Sequence, residues 1–294
     1  MTTTPTPPPP HTPPLSDVEL AVAAARAGAA VIRSLYAREG PGGPAAGVPG
    51  TRIDKGDGDF AGAADLAAER AILDLLRRHR PQDAITGEES GSSGRAGARR
   101  RWLVDPLCGT LNYAARSPLV SVNVALREGG PGDSGLVRVA VCADPFQGEV
   151  FHTDGAGAFL RTDAGAELPL APSGASTLVD VNLDPPFPNS PAFRAARLLD
   201  SAGFAARFRP RVISTTLAVP WVAAGRRAAY VTDGHLRDSV HFAAGIAVCE
   251  AAGCVVTNLA GGPVHTGAGG LIVAADPATH AGLLAAIADA GTSR

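Results

Sequence analysis

The stretch Arg101-Trp102-Leu103-Val104-Asp105-Pro106-Leu107-Cys108-Gly109-Thr110-Leu111-Asn112 decides how the rest of this chain is read. Trp102 to Val104 is a short apolar run of strand character, and it leads into an Asp-Pro pair and a Gly-Thr turn. Such a junction can bring a carboxylate (Asp105), a backbone carbonyl (Leu107) and a hydroxyl (Thr110) to one point. Oxygen groups of this kind suit Mg2+, which takes few protein ligands and keeps waters for a phosphate-bearing partner. An ordinary Asp-Pro turn is the plainer alternative, so the surrounding pattern has to decide.

Upstream, Gly87-Glu88-Glu89-Ser90-Gly91 follows a second short apolar strand, Ala84 to Thr86. Two adjacent carboxylates at a strand end repel each other unless a cation or an arginine compensates; a solvated acidic loop fits the same residues. Ser16 with Glu19 is a capping box that opens an amphipathic helix from Val18 to Ala37. Gly40 to Gly62, rich in Gly and Pro and carrying Lys55, Asp57 and Asp59, reads as a mobile loop or hairpin, and Ala63 to Arg80 as a second helix stopped by Pro81. Downstream, Leu119 to Ala125, Leu136 to Cys142 and Glu149 to His152 continue as strands. Gly155-x-Gly157 lacks the third glycine of a phosphate-binding loop, since Leu160 stands there, and reads as a hairpin turn.

From Leu178 onward the pattern alternates. Strands are expected at Leu178 to Leu183, Arg211 to Ser214, Ala229 to Thr232, Cys254 to Thr257 and Leu271 to Ala274. Helices are expected at Pro191 to Ala202, Thr215 to Ala224, His241 to Ala252 and Ala278 to Ala288. Alternation of this kind implies helices layered on sheet. The expected organisation is a disordered Thr/Pro-rich tail over residues 1–15, an N-terminal α+β lobe over 16–175 that carries the motifs, and a C-terminal α/β lobe over 176–294.

Composition narrows the function classes. The chain has 294 residues, enough for one large domain or two tightly joined ones, with 45% hydrophobic and 18% charged side chains. Its 26 basic and 28 acidic residues give a net charge of -2, without the basic excess that a nucleic-acid groove or a polybasic membrane surface requires. Cys108, Cys142, Cys249 and Cys254 have neither CxxC spacing nor a histidine at zinc-finger distance, which argues against a structural zinc site and for reduced thiols. The last three lie in apolar segments and read as core. The apolar stretch Phe242 to Val256 is interrupted by Glu250 and is shorter than the roughly 20 residues a membrane span needs. The start of the chain has no signal-peptide pattern. The expectation is a cytoplasmic protein with a small-molecule substrate and with neither a nucleic-acid nor a membrane partner.

Taken in order, these motifs resemble the inositol monophosphatase superfamily, Mg2+-dependent phosphomonoesterases built as a layered αβαβα sandwich. The resemblance runs from about Ser16 to Ala288. Lys55-Gly56-Asp57-Gly58 and Ala64-Asp65-Leu66-Ala67-Ala68-Glu69 look like the family's mobile-loop motif and the helix after it, and Gly87-Glu88-Glu89-Ser90 like its Gly-Glu-Glu segment. Trp102 to Asn112 resembles its Asp-Pro-Ile/Leu-Asp-Gly-Thr-x-Asn signature, and Gly155 to Phe159 a family hairpin. Val240-His241-Phe242-Ala243-Ala244-Gly245 stands at its C-terminal Trp-Asp-x-Ala-Ala-Gly motif. The resemblance implies that Glu88, Asp105 and the Leu107 carbonyl hold a first metal ion, that Asp65 and Thr110 orient the attacking water, and that the Gly109 and Thr110 amides hold phosphate. It places a polyol-contacting acidic residue near Thr232 or Asp233, and it leaves a homodimer open because dimers are common in the family.

The sequence departs from the pattern at the second metal site. The two further aspartates expected there are Cys108 and His241, Val240 replaces the tryptophan, and Gly62 stands where the Thr of a Val-Thr-x-x-Asp motif is expected. A thiol and an imidazole in place of two carboxylates remove about two negative charges from a site suited to hard cations. Three readings stand. The chain is a metal-assisted phosphomonoesterase on a small sugar, cyclitol or nucleotide phosphate, running on the first Mg2+ or on a softer ion (Mn2+, Zn2+ or Fe2+) at Asp105, Cys108 and His241. Or it is a repurposed enzyme, without essential metal, in which Cys108 and His241 act as a nucleophile or acid/base pair. Or it is a phosphatase-like binding protein without catalysis.

Overall fold

The computed structural model describes residues 15–39, 53–56, 59–95, 97–129, 135–184, 193–234, 236, 239–264 and 269–292. The Thr/Pro-rich tail through Pro14 and most of the 40–58 stretch, Asp57 included, lie outside these residues.

The first half begins with helix α1 (Asp17–Glu39), strands β1 (Ile53–Gly56) and β2 (Asp59–Ala61), helix α2 (Ala63–His79), β3 (Ala84–Gly87), β4 (Gly91–Ser93) and β5 (Arg100–Cys108). It continues with α3 (Thr110–Ala114), β6 (Ser121–Glu128), β7 (Leu136–Ala143), β8 (Val150–Thr153), β9 (Ala158–Arg161) and β10 (Glu167–Pro169). The remainder holds β11 (Leu178–Asn182), a 3-10 segment (Ala195–Asp200), α4 (Ala202–Arg207), β12 (Arg209–Val212), α5 (Ala218–Ala223) and β13 (Ala229–Thr232). The last elements are α6 (Ala243–Ala251), β14 (Val255–Thr257), β15 (Leu271–Ala274) and α7 (Pro277–Thr292).

The expected capping box opens α1: Ser16 Oγ accepts from the Glu19 amide at 3.3 Å, and Glu19 Oε2 accepts from the Ser16 amide at 3.0 Å. β1 and β2 pair as an antiparallel hairpin. An eight-stranded sheet runs in the order β10-β9-β8-β7-β6-β5-β3-β4, and a five-stranded sheet in the order β12-β11-β13-β15-β14. In the smaller sheet β11 is parallel to both β12 and β13, as strand–helix–strand crossovers demand, while β15 is antiparallel to β13.

Side-chain alternation turns these sheets into five layers, α-β-α-β-α. Trp102, Val104, Val122, Val124 and Leu126 of β5 and β6 pack with Leu20, Ile32, Ile72 and Leu76 of α1 and α2. Leu103 and Ala125 point the other way, into a cluster with Val219 and Val222 of α5 and Ala244 and Val248 of α6. Tyr230, Leu271 and Val273 reach that same cluster from the smaller sheet. Val231, Ile272 and Ala274 face the outer helical layer, with Phe204 of α4 and Leu283 of α7. The helix pair α5/α6 is therefore a shared filling between two sheets.

Several boundaries differ from the sequence reading. The strand expected to end at Val104 runs on to Cys108, because its pairing with β6 is interrupted between Asp105 and Cys108 and resumes at Cys108–Ser121. Pro106, which has no amide hydrogen to give, sits inside that irregularity, where its missing donor breaks no ladder bond. The helix expected over Pro191 to Ala202 is a 3-10 segment followed by α4, with i→i+3 bonds from the Arg197 amide to Arg194 O and from the Ser201 amide to Leu198 O. Residues 185–192 lie outside the described set. The helices expected from Thr215 and His241 start at Ala218 and Ala243, which leaves Thr215, Thr216 and His241 on the approaches to the helices. The Gly155–Gly157 turn is the expected hairpin between β8 and β9, closed by Asp154 Oδ1 accepting from the Ala156 and Gly157 amides at 2.9 and 3.2 Å. Among the described residues no helix is long and apolar enough to cross a membrane.

The α5/α6 contact leaves no room for a side chain at Gly245. A Cβ there would lie 2.9 Å from Val219 Cγ1 and 3.0 Å from Val219 Cβ, inside contact distance of a stiff, fully buried β-branched residue. Gly245→Val is expected to lower the unfolding free energy by about 1–3 kcal/mol, the usual cost of overpacking, read as a drop in denaturant midpoint. An unchanged midpoint would show that the two helices are not held at this separation.

Candidate functional site

Asp105 is the deepest polar group of the cluster and is fully buried. It lies opposite Asn123 of β6 in the sheet register. Its Oδ1 accepts from the Leu107 amide at 3.2 Å, and its Oδ2 accepts from Asn123 Nδ2 at 3.3 Å. The same Asn123 amide reaches Thr216 Oγ1 at 2.8 Å, tying the β5/β6 pair to the segment that leads into α5. The third partner of Asp105 is His241, whose Nδ1 lies 2.8 Å from Oδ2.

His241 enters from the segment before α6. Its Nδ1 is also 4.0 Å from Glu88 Oε2, and its side chain keeps 40% of its exposure, so the cluster opens to solvent at the imidazole. Burial alone lowers the imidazole's affinity for a proton, but Asp105, with Cys108 and Glu88 behind it, reverses this and holds His241 well above the usual histidine range. The same pairing overcomes the burial of Asp105 and keeps its carboxyl below the usual carboxylate range.

Cys108 completes the triad. The ligand atoms of Asp105, Cys108 and His241 all lie within 4.8 Å of one another. The strand irregularity between Asp105 and Cys108 aims both side chains into the same site, and the Thr216 amide donates to Cys108 Sγ at 3.4 Å. Burial and the neighbouring Asp105 charge push the Cys108 thiol up to about 11, against the opposing pull of His241. Without another cation beside it, this sulfur carries its proton at neutral pH.

A second, all-oxygen group adjoins the triad. Glu88 follows β3, and its amide donates to Val104 O at 3.0 Å, extending the β3–β5 pairing to the site. The Leu107 carbonyl and Asp65 Oδ1 both lie within reach of Thr110 Oγ1, at 3.2 and 3.0 Å. Asp65 Oδ2 accepts from the Gly62 amide at 3.0 Å; burial dominates its environment and pushes its carboxyl up to about 7. Gly109 precedes α3 with φ of 104°, and a Cβ on it would meet Leu119 O at 2.8 Å, so the turn that delivers Thr110 requires glycine.

The structure thus brings together Glu88, Asp105, Cys108 and His241, and links Asp65, Thr110 and the Leu107 carbonyl beside them. Asp233, after β13, is fully buried with its Oδ2 3.1 Å from Arg194 Nε. Three contributors escaped the sequence reading. Asn123 and Thr216 position Asp105 and Cys108; the signal for Asn123 was a polar residue between Val122 and Val124 in an otherwise apolar strand. Glu69, buried on α2, accepts from the Glu89 amide at 3.0 Å and the Ser90 amide at 3.4 Å, pinning the loop that presents Glu88.

Burial and the Asp105 charge favour the protonated form of Cys108. In chelator-treated protein, iodoacetamide labelling of Cys108, followed by peptide mass spectrometry, is expected to rise about tenfold per pH unit between about pH 7 and pH 9, because the thiolate fraction grows in that proportion below the thiol pKa. A rate already level at neutral pH would instead reveal a thiolate–imidazolium pair.

Residues 15–292 match the model of the inositol monophosphatase family. Over 243 residues the chain is 34% identical to the protein named Nus factor SuhB of Escherichia coli (strain K12), covering 80% of this chain and 85% of that protein. It is 31% identical to the inositol-1-monophosphatase of Caulobacter vibrioides over 70% of this chain and 78% of that protein. Among solved structures, inositol monophosphatase from Anabaena (Nostoc) sp. PCC 7120 superposes with a TM-score of 0.70 at 25% identity, covering 92% of this chain and 95% of that one. The extragenic suppressor protein suhB of Bartonella henselae shares the fold, with a TM-score of 0.75 at 24% identity over 91% and 96% of the two chains.

Proposed function

The chain belongs to the inositol monophosphatase family, and on that premise we propose that it is a metal-assisted phosphomonoesterase acting on a small sugar, cyclitol or nucleotide phosphate. The observation that carries the proposal is the all-oxygen group. Glu88 and the fully buried Asp105 converge on His241, while the Leu107 carbonyl and the Thr110–Asp65 pair stand beside them. Two carboxylates and a carbonyl suit Mg2+, and these three residues would hold it. The second set, with one carboxylate, one thiol and one imidazole, does not suit Mg2+.

Glu88, Asp105 and the Leu107 carbonyl would hold a divalent cation, which would supply positive charge against the phosphoryl oxygens and ease deprotonation of the attacking water. The protein's own part is positioning and proton handling. Thr110 Oγ1, held between Asp65 Oδ1 and Leu107 O, fixes the water by hydrogen bonding. Asp65, its carboxyl pushed up to about 7, accepts the water's proton at a pH where a carboxylate of ordinary acidity would be a weaker base. The Gly109 and Thr110 amides orient the phosphate, and Asp233 with Arg194 is assigned to the polar end of the substrate.

The relatives named Nus factor SuhB bear on the reading in which this fold serves as a binding protein. That reading gains if hydrolysis is absent from the experiment that follows. The protein is assayed against a panel of small sugar, cyclitol and nucleotide monophosphates with Mg2+, Mn2+ or Zn2+. Hydrolysis is expected, and Glu88→Gln or Asp105→Asn should reduce it by about 100-fold or more, the scale of losing a principal electrostatic group. Cys108→Asp combined with His241→Asp rebuilds an oxygen ligand set and should raise the Mg2+-dependent rate. No hydrolysis with any ion, or none lost in the Glu88 and Asp105 variants, contradicts the proposal.

A further inference from the structure

We propose that Asp105, Cys108 and His241 bind one thiophilic divalent cation of the zinc class, beside the oxygen-lined first site, where a second Mg2+ would otherwise be expected. The inference deepens the phosphomonoesterase reading and rests on it for what the ion does, but binding of the ion is measurable without turnover.

Ligand chemistry is the first argument. Thiolate and imidazole add little to Mg2+ affinity, whereas Zn2+ takes sulfur, nitrogen and carboxylate oxygen together. Geometry is the second. Bonds of about 2.0–2.3 Å in a tetrahedral shell set ligand atoms roughly 3.5 Å apart; the three candidate atoms already lie within 4.8 Å of one another. They converge from two distant parts of the chain, β5 and the approach to α6, so local sequence does not account for their meeting.

The outer contacts are the third argument. Ligands of a metal site are oriented by hydrogen bonds behind them. Asp105 receives the Leu107 amide and Asn123, and Cys108 Sγ receives the Thr216 amide at 3.4 Å. Asn123 bonds to Thr216 at 2.8 Å and so links the supports of two ligands. Exposure is the fourth. Cys108 is half-buried and His241 keeps 40% of its side-chain exposure, which gives an entry path. Three protein ligands with one open position is the pattern of a zinc site that works on a substrate, not of a closed structural one. The sulfur and nitrogen thus turn a site for two like ions into one for two unlike ions.

The test is a titration of full-length, chelator-treated protein with Co2+, a coloured substitute for Zn2+. A sulfur-to-cobalt charge-transfer band in the near ultraviolet should grow to one equivalent. Stoichiometric Zn2+ should bleach it, and a large excess of Mg2+ should leave it. Cys108→Ser, which differs by one atom, should lose the band, while Cys254→Ser should keep it. His241→Ala should weaken Co2+ binding by more than about 100-fold, beyond the 10–100-fold typical of outer-contact losses. Glu88→Gln should retain the band whatever happens to its hydrolysis. A band without hydrolysis supports the cation site and rejects the phosphomonoesterase reading; hydrolysis without a band does the reverse. The proposal is overturned by saturating Co2+ that gives no band, by a band that survives Cys108→Ser, or by Mg2+ that displaces Co2+ at equal concentration.

Discussion

A fully buried carboxylate at Asp105 is the constraint on which the rest of this molecule turns. An ionised carboxylate removed from water is costly unless it is paired and hydrogen-bonded, and Asp105 is supplied from three directions. The Leu107 amide comes from its own strand, Asn123 from the neighbouring strand, and His241 from across the sheet-to-helix boundary. Each donor belongs to a different part of the architecture. Satisfying Asp105 therefore fixes the irregular β5 backbone, the β5/β6 register and the seating of the segment before α6. The close α5/α6 approach at Gly245 extends this, because Thr216 on the way into α5 bonds to both Asn123 and Cys108.

Much of this was legible from residues. The apolar run before Asp105, the Glu88-Glu89 pair at a strand end and the Gly-Thr turn gave the order of motifs, and alternation after Leu178 gave helices on a sheet. The fold expected from the family resemblance is the one observed, with α5/α6 between two sheets. Other features were hidden because no periodicity encodes them. The run of β5 through Pro106 depends on pairing resuming at Ser121, a long-range contact. The approaches at Thr215–Thr216 and His241 carry helix-like residues, yet their groups serve the site instead of an intrahelical ladder. Asn123 stood out only as a polar residue in an apolar strand and Glu69 looked like an ordinary helix position; burial and hydrogen bonds show that one supports Asp105 and the other holds the Glu88 loop.

The departure at Cys108 and His241 has a physical consequence that neither residue has alone. His241 offsets the charge of Asp105, so a second cation is not needed to make the buried carboxylate tolerable. In that state Cys108 keeps its proton, raised by burial and by Asp105. The cluster is consequently stable as an ion pair and also composed of groups that a soft cation would take up.

Two unlike cation sites around a shared Asp105 are tested most directly by anomalous diffraction. Crystals soaked in Zn2+ with Mg2+ present, measured on both sides of the zinc absorption edge, should show one zinc peak bonded to Asp105, Cys108 Sγ and a His241 ring nitrogen. A non-anomalous ion should sit at Glu88, Asp105 and the Leu107 carbonyl. A zinc peak confined to the oxygen group, or none within bonding distance of Cys108, would contradict the account.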